Sequence, residues 1–206
     1  MKKSLWLTLV FALAAATAMA QNPYPGPDSM GFYASTDGSN VEPCVTIPLY
    51  VPTDLYLAVT NPSTPEARAW EATVTDIPHT GAYLGDWGIL GNPVPVIQDN
   101  GDGTHSYAVG YSVPLVPNAS GFMGLMKVTL IVLQADVPLE LYVTPYPGSQ
   151  TFDNAPGYVP NVGIYRPCTV APYGSAFPSM LVNDHIPCDY PTESESLSWG
   201  QVKSLY

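Results

Sequence analysis

The sequence predicts an all-β protein, a single antiparallel β-sandwich of about eight or nine strands. Three observations carry that reading. Proline and glycine are abundant, 23 and 17 among 206 residues, so few stretches are long enough for an uninterrupted helix. Charged residues make up only 11% while Tyr occurs 14 times, a composition of short strands with polar but uncharged surfaces. Segments whose apolar residues recur at every second position follow one another at intervals of roughly ten to fifteen residues, with turn signals between them.

The chain opens with Met1-Lys2-Lys3, an apolar run over 5–16, and Ala18 and Ala20 on either side of Met19. A basic start, an apolar run of about a dozen residues and small side chains at −3 and −1 read as a secretory signal peptide over residues 1–20. The run is shorter than the about 20 residues that a membrane-spanning helix needs. The mature chain is therefore expected to start at Gln21 and to work outside the cytoplasm. Residues 21–29 hold three prolines and form an extended leader.

A first strand is expected over 30–34 and a polar turn over 35–40. Residues 41–48 alternate through Val41, Val45 and Ile47. In 54–60, Leu55, Leu57 and Val59 share one face, with Tyr56 and Ala58 on the other. After a turn at 61–65, the strand 67–76 places Trp70, Ala72 and Val74 together. The clearest hairpin spans 94–113, because Asn100-Gly101 and Asp102-Gly103 supply the positive φ that tight turns require. Residues 121–133 follow, and their apolar run over 128–133 suggests a central strand buried on both faces. The segment 139–144 is expected to be its antiparallel neighbour. Beyond it, 145–180 is mostly irregular, with short strands at 163–166 and 180–182. The domain thus covers 30–188. The tail 189–206 places Trp199, Val202 and Leu205 at i, i+3 and i+6, a short helical stripe suited to attachment or sorting.

Charge excludes several functions. The full chain carries −11, and without Lys2 and Lys3 four basic side chains face seventeen acidic ones, a net −13. Nothing here can neutralise a run of phosphates, so nucleic acid is excluded as a partner, and anionic membrane surfaces are disfavoured. Three cysteines in an oxidising compartment predict one disulfide and one free thiol. A bridge from Cys44 to Cys168 or Cys188 closes a long loop worth about 4–5 kcal/mol in the chain-entropy model. Cys44–Cys188 is preferred, and Cys168–Cys188 is the alternative. No spacing of Cys or His suits a metal, and no cofactor loop is present.

Short motifs carry a resemblance over most of the mature chain. They are Met30-Gly-Phe-Tyr33 with Cys44 shortly after, the segment 55–63 followed by Ala69-Trp70-Glu71, the segments 121–133 and 141–145, and Leu181-Val-Asn-Asp184 before Cys188. In these the chain resembles uncharacterised secreted bacterial β-sandwich proteins of cohesin-like or immunoglobulin-like type. That resemblance implies a bacterial protein of the cell surface, periplasm or extracellular space. Cohesins, similar in strand logic, bind a partner domain through one sheet face. The family brings no activity with it.

Candidate chemistry is sparse. The loop 99–104 has carboxylates at Asp99 and Asp102, but the twelfth position, where a calcium loop of EF type needs Glu, is Gly110. A plain hairpin explains every residue of it. Cys168 or Cys188 with His185 lacks the setting of a cysteine nucleophile, and no Ser lies in a GxSxG elbow. Tyr83 and Trp87, four apart with Asp86 between them, form a candidate binding platform; capping one end of the sandwich is the competing role. The leading expectation is a secreted, non-catalytic module that binds protein or glycan or serves a structural role at the cell surface. The alternative is a glycoside hydrolase using Glu71 with Glu66 or Asp76 beside Trp70.

Overall fold

A computed structural model describes residues 26–38, 42–75, 81–149, 154–172 and 174–184. All of them fall in one compact unit, Pro25–Asp189. The signal peptide, Asp76, Cys188 and the tail lie outside the described residues.

The described residues form strands and no helix, in two large sheets and one small one. The first sheet runs β14 (Thr169–Val170), β1 (Ser29–Tyr33), β3 (Thr53–Thr60), β9 (Phe122–Val132) and β5 (Tyr83–Leu84), with β6 (Gly88–Ile89) also paired to β9. The second runs β13 (Ile164–Pro167), β12 (Gly157–Asn161), β4 (Ala67–Thr75), β8 (Thr104–Leu115) and β7 (Pro93–Asp99), with β11 (Val143–Thr144) on β4. The third joins β10 (Leu139–Leu141), β15 (Met180–Val182) and β2 (Cys44–Val45). The large sheets share one core: Leu55, Leu57, Met126 and Val128 of the first belong to the same buried cluster as Trp70, Val74 and Val109 of the second. This is the β-sandwich expected from the alternating pattern.

Three details differ from expectation. Strands are more numerous and shorter, fifteen among the described residues, because prolines and glycines break the pairing into pieces of two or three residues. Two pairings are parallel, β1 with β14 and β15 with β2. Third, residues 139–144 do not lie beside β9. β10 pairs with β15 and β11 with β4, so this segment runs from the third sheet to the second.

The reason lies in β9. Its partner on one side is β3, and β5 and β6 occupy the other, so no edge is left for 139–144. The register of β9 slips between Leu57↔Met126 and Ala58↔Gly124, making Leu125 an extra residue. A bulge reverses the phase of alternation. Met123 and Leu125 face the core before it, and Met126, Val128, Leu130 and Val132 after it. The apolar run 128–133 lies after the bulge and is not buried on both faces: Val128, Leu130 and Val132 face the core, while Thr129 is exposed and Ile131 half-buried on the other side.

Two buried side chains fasten segments distant in sequence, Ser179 joining the third sheet to the first and Asn183 closing the third sheet beyond β2 and β15. Ser179 Oγ donates to the Ala171 carbonyl at 2.7 Å and accepts from the Phe32 N–H at 2.9 Å. Asn183 Oδ1 accepts from the Ile47 N–H at 2.7 Å, while its Nδ2 donates to the Ile47 carbonyl at 3.1 Å.

Candidate functional site

Trp70 fixes which face of the second sheet is which. It is 1% exposed, stacks on Tyr107 with centroids 5.9 Å apart, and donates from Nε1 to the Tyr111 hydroxyl at 2.9 Å. Burial pushes the Tyr111 phenol up to about 12. Because side chains alternate along a strand, Ala69, Glu71, Thr73 and Thr75 face the other way, as do their register partners Ser106, Ala108 and Gly110 on β8. On β7 the same face carries Val94 and Val96, 69% and 61% exposed, and Gln98. β7 is the edge strand and includes Pro93 and Pro95.

At one end of this outer face lies an open cleft of about 560 Å³. Its floor comes from β4 and β8 through Thr73, Thr75 and Thr104, and one wall from Gln98, Asn100 and Asp102. The opposite wall is Tyr142, Thr144, Pro145 and Pro147, brought there because β11 crosses to pair with β4. The crossing that carries 139–144 from the third sheet to the second thus builds the cleft.

A hydrogen-bond network holds the floor in place. Thr73 and Ser106 hydroxyls meet at 2.7 Å, and Asn100 Nδ2 donates to Ser106 Oγ at 3.1 Å and to Thr104 Oγ1 at 2.9 Å. Asp102 Oδ1 accepts from the Thr104 hydroxyl at 2.6 Å and from its N–H at 3.1 Å, which lowers the Asp102 pKa below the ordinary carboxylate value. Asp99 Oδ1 accepts from the Gly101 N–H at 2.8 Å. Gly101 and Gly103 take φ of 78° and 84°, the left-handed values the tight loop needs. The carboxylates of 99–104 are thus engaged by their own hairpin. Among the described residues no group of three or more His, Cys, Asp or Glu is placed to hold a metal. Tyr142 donates to Glu140 Oε2 at 2.5 Å, and this bond to a carboxylate, with burial, pushes its phenol up to about 12.

The side chains singled out in the sequence sit elsewhere. Tyr83 is 3% exposed and its hydroxyl donates to the Val137 carbonyl. Trp87 packs on Phe32 with centroids 5.2 Å apart and adjoins the core. Tyr83 is sealed in the core and Trp87 is half-buried against Phe32, so the two do not form an open pair of stacking rings. Glu71 lies on the face opposite Trp70 and accepts from Ser149 Oγ. Glu66 pairs with Arg68 at 3.0 Å. Glu66 and Glu71 therefore do not converge beside the Trp70 ring, which is sealed in the core, and Asp76 lies outside the described residues. Cys168 is a free, buried thiol whose pKa burial pushes far up, with the Asp28 charge adding to it. That excludes the Cys168–Cys188 and Cys44–Cys168 pairings and makes Cys168 a poor nucleophile. The cleft residues had a visible sequence signal only in part. Thr73 and Thr75 alternate with Ala72 and Val74, but the partners across the cleft come from a crossing that local pattern does not encode.

No protein-family model matches the sequence, and no curated protein matches it. Solved structures with a similar chain path are cohesin modules. A cohesin module from a Clostridium perfringens family 33 glycoside hydrolase is 10% identical, with a TM-score of 0.43 over 68% of this chain and 90% of that one. The second type II cohesin module of the adaptor ScaA scaffoldin of Acetivibrio cellulolyticus is 10% identical, with a TM-score of 0.45 over 82% of this chain and 94% of that one. A type II cohesin dyad from the same scaffoldin gives 10% identity and a TM-score of 0.46, over 79% of this chain and 51% of the dyad. These similarities assign neither a ligand nor a site to this chain.

Proposed function

We propose that this protein is a secreted, non-catalytic β-sandwich module that works at the cell surface by binding a ligand on the outer face of the β13–β12–β4–β8–β7 sheet. The observation that carries the reading is the cleft: concave, floored by a hydrogen-bonded network and lined, apart from the Asp102 carboxylate, by uncharged groups. Such a lining recognises and orients a ligand, whereas acid–base or nucleophilic chemistry needs groups of shifted reactivity held together. Secretion rests on the signal-peptide pattern of residues 1–20, with Gln21 as the new N-terminus.

A Cys44–Cys188 bridge belongs to this reading. Cys44 lies opposite Leu181 in the parallel pairing of β2 with β15, seven residues before Cys188 in the chain. It would fasten the C-terminal end of the domain to its first third. The tail 189–206 is assigned to attachment or sorting.

Affinity capture from the native cell envelope, with wild-type protein and a Thr75→Arg variant as parallel baits, tests the proposal. A ligand retained by the first and lost by the second supports it. Equal retention, or none by either, refutes it. N-terminal sequencing of the exported protein should begin at Gln21.

A further inference from the structure

We infer that the ligand of the cleft is a neutral, hydroxyl-rich chain, that is, a short stretch of uncharged glycan; this rests on the binding reading above and narrows it. The lining contains no Lys, Arg or His. A carboxylated or phosphorylated ligand would find no cation to replace its lost hydration, and Asp102 would repel it. A cationic ligand would find a single carboxylate there, one oxygen of which already accepts two hydrogen bonds from Thr104. What the cleft does offer is matched donors and acceptors: the hydroxyl of Thr75 and the amide of Gln98. Each hydroxyl and each amide both gives and receives, as sugar hydroxyls do.

Three further features fit a sugar chain. The volume, about 560 Å³, lies within the roughly 300–1,000 Å³ usual for ligand sites, and the cleft is open, so a chain can run through it. Pro145 and Pro147 give one wall rigid, apolar rings without an N–H, against which the C–H face of a pyranose can pack. The network Thr73–Ser106–Asn100–Thr104 is complete without a ligand, so the floor needs little ordering when one binds. Gln98 and Thr75, by contrast, have no side-chain partner among the described residues, which leaves their hydrogen-bonding capacity for the ligand.

Calorimetric titration of the mature protein with cellotetraose, xylotetraose, mannotetraose and chitotetraose, and with tetragalacturonate as the charged probe, tests this. At least one neutral tetramer should bind with Kd below about 1 mM, and tetragalacturonate should not. Gln98→Ala and Thr75→Ala should each weaken that binding about fivefold, the loss of one net hydrogen bond. Thr75→Arg should abolish it while leaving the thermal transition cooperative. Val94→Asp, on the same face but outside the cleft lining, should leave it unchanged. Binding of tetragalacturonate as strong as of the neutral tetramers overturns the inference. So does neutral binding indifferent to the cleft variants. If no tetramer binds while the envelope ligand is still captured in a Thr75→Arg-sensitive way, the glycan is wrong and the binding module stands. If both fail, both readings fall.

Discussion

Replacing Asn183 separates two energies that one side chain combines. Its amide satisfies both the N–H and the carbonyl of Ile47, at 2.7 and 3.1 Å, while its own backbone sits at φ 53°. Asn183→Ala leaves two buried backbone groups unpaired, each costing about 1–3 kcal/mol. The lower end applies, because Asn183 and Ile47 line an open cavity of about 190 Å³, roomy enough for water to take the place of the lost amide. Holding Ala in the left-handed region adds about 1 kcal/mol. The expected loss is about 3 kcal/mol, a large share of the 5–15 kcal/mol typical of a domain. Asn183→Gly loses the same hydrogen bonds without the left-handed strain, so it should lie about 1 kcal/mol above the alanine variant. Urea denaturation followed by tryptophan fluorescence measures both. A loss below about 1 kcal/mol for Ala, or Ala and Gly equal within error, would refute the reasoning, since it would mean that the amide clamp or the φ cost is not real.

Ser179→Ala should cost about 2 kcal/mol in the same assay, since the Phe32 N–H and the Ala171 carbonyl both lose a buried partner; Ser179→Thr, which keeps the hydroxyl, should recover part of it. Tyr33 and Tyr111 have phenols pushed up to about 12, chiefly by burial, against 10 in the unfolded chain. A raised phenol stabilises the fold fully below pH 10 and loses that contribution as pH rises from 10 to about 12, because the unfolded chain then releases protons first. Urea midpoints should fall across that window, and absorbance near 295 nm should show these phenols ionising together with unfolding. Non-reducing peptide mapping should find Cys44 joined to Cys188 and Cys168 as a free thiol. Truncation after Cys188 should leave the cooperative thermal transition intact; its loss would make the tail part of the core.

Local pattern was enough for the strands that face the core through a single unbroken alternation. Leu55-Leu57-Val59 and Trp70-Ala72-Val74 declare β3 and β4, and Asn100-Gly101 with Asp102-Gly103 declares the turn between β7 and β8. In 128–133 the outward-facing Ile131 is apolar as well, so regular alternation looks like continuous burial, and nothing in the run says which strand pairs beside it. The aromatics misled for a related reason. Tyr83 and Trp87 stand among Gly and Asp, which suggests exposure, yet the short strands β5 and β6 on either side hold this loop against β9, with Tyr83 sealed in the core and Trp87 half-buried against Phe32. The cleft was illegible because its two walls come from segments about forty residues apart that meet only through the crossing of β11.

The prolines of β7 have a consequence for association between molecules. Residues 93, 95, 97 and 99 share one orientation along the strand, and Pro is tolerated there only when its missing N–H points off the sheet. An incoming strand would therefore find donors at Ile97 and Asp99 and none at Pro93 or Pro95. The opposite edge, β13, ends in Pro167. Both borders of the sheet that exposes Val94, Val96 and Ile97 are thus poor templates for growth. Ring closure at nitrogen thus adds a local, backbone-level block to the electrostatic repulsion that a net charge of −11 already sets between copies.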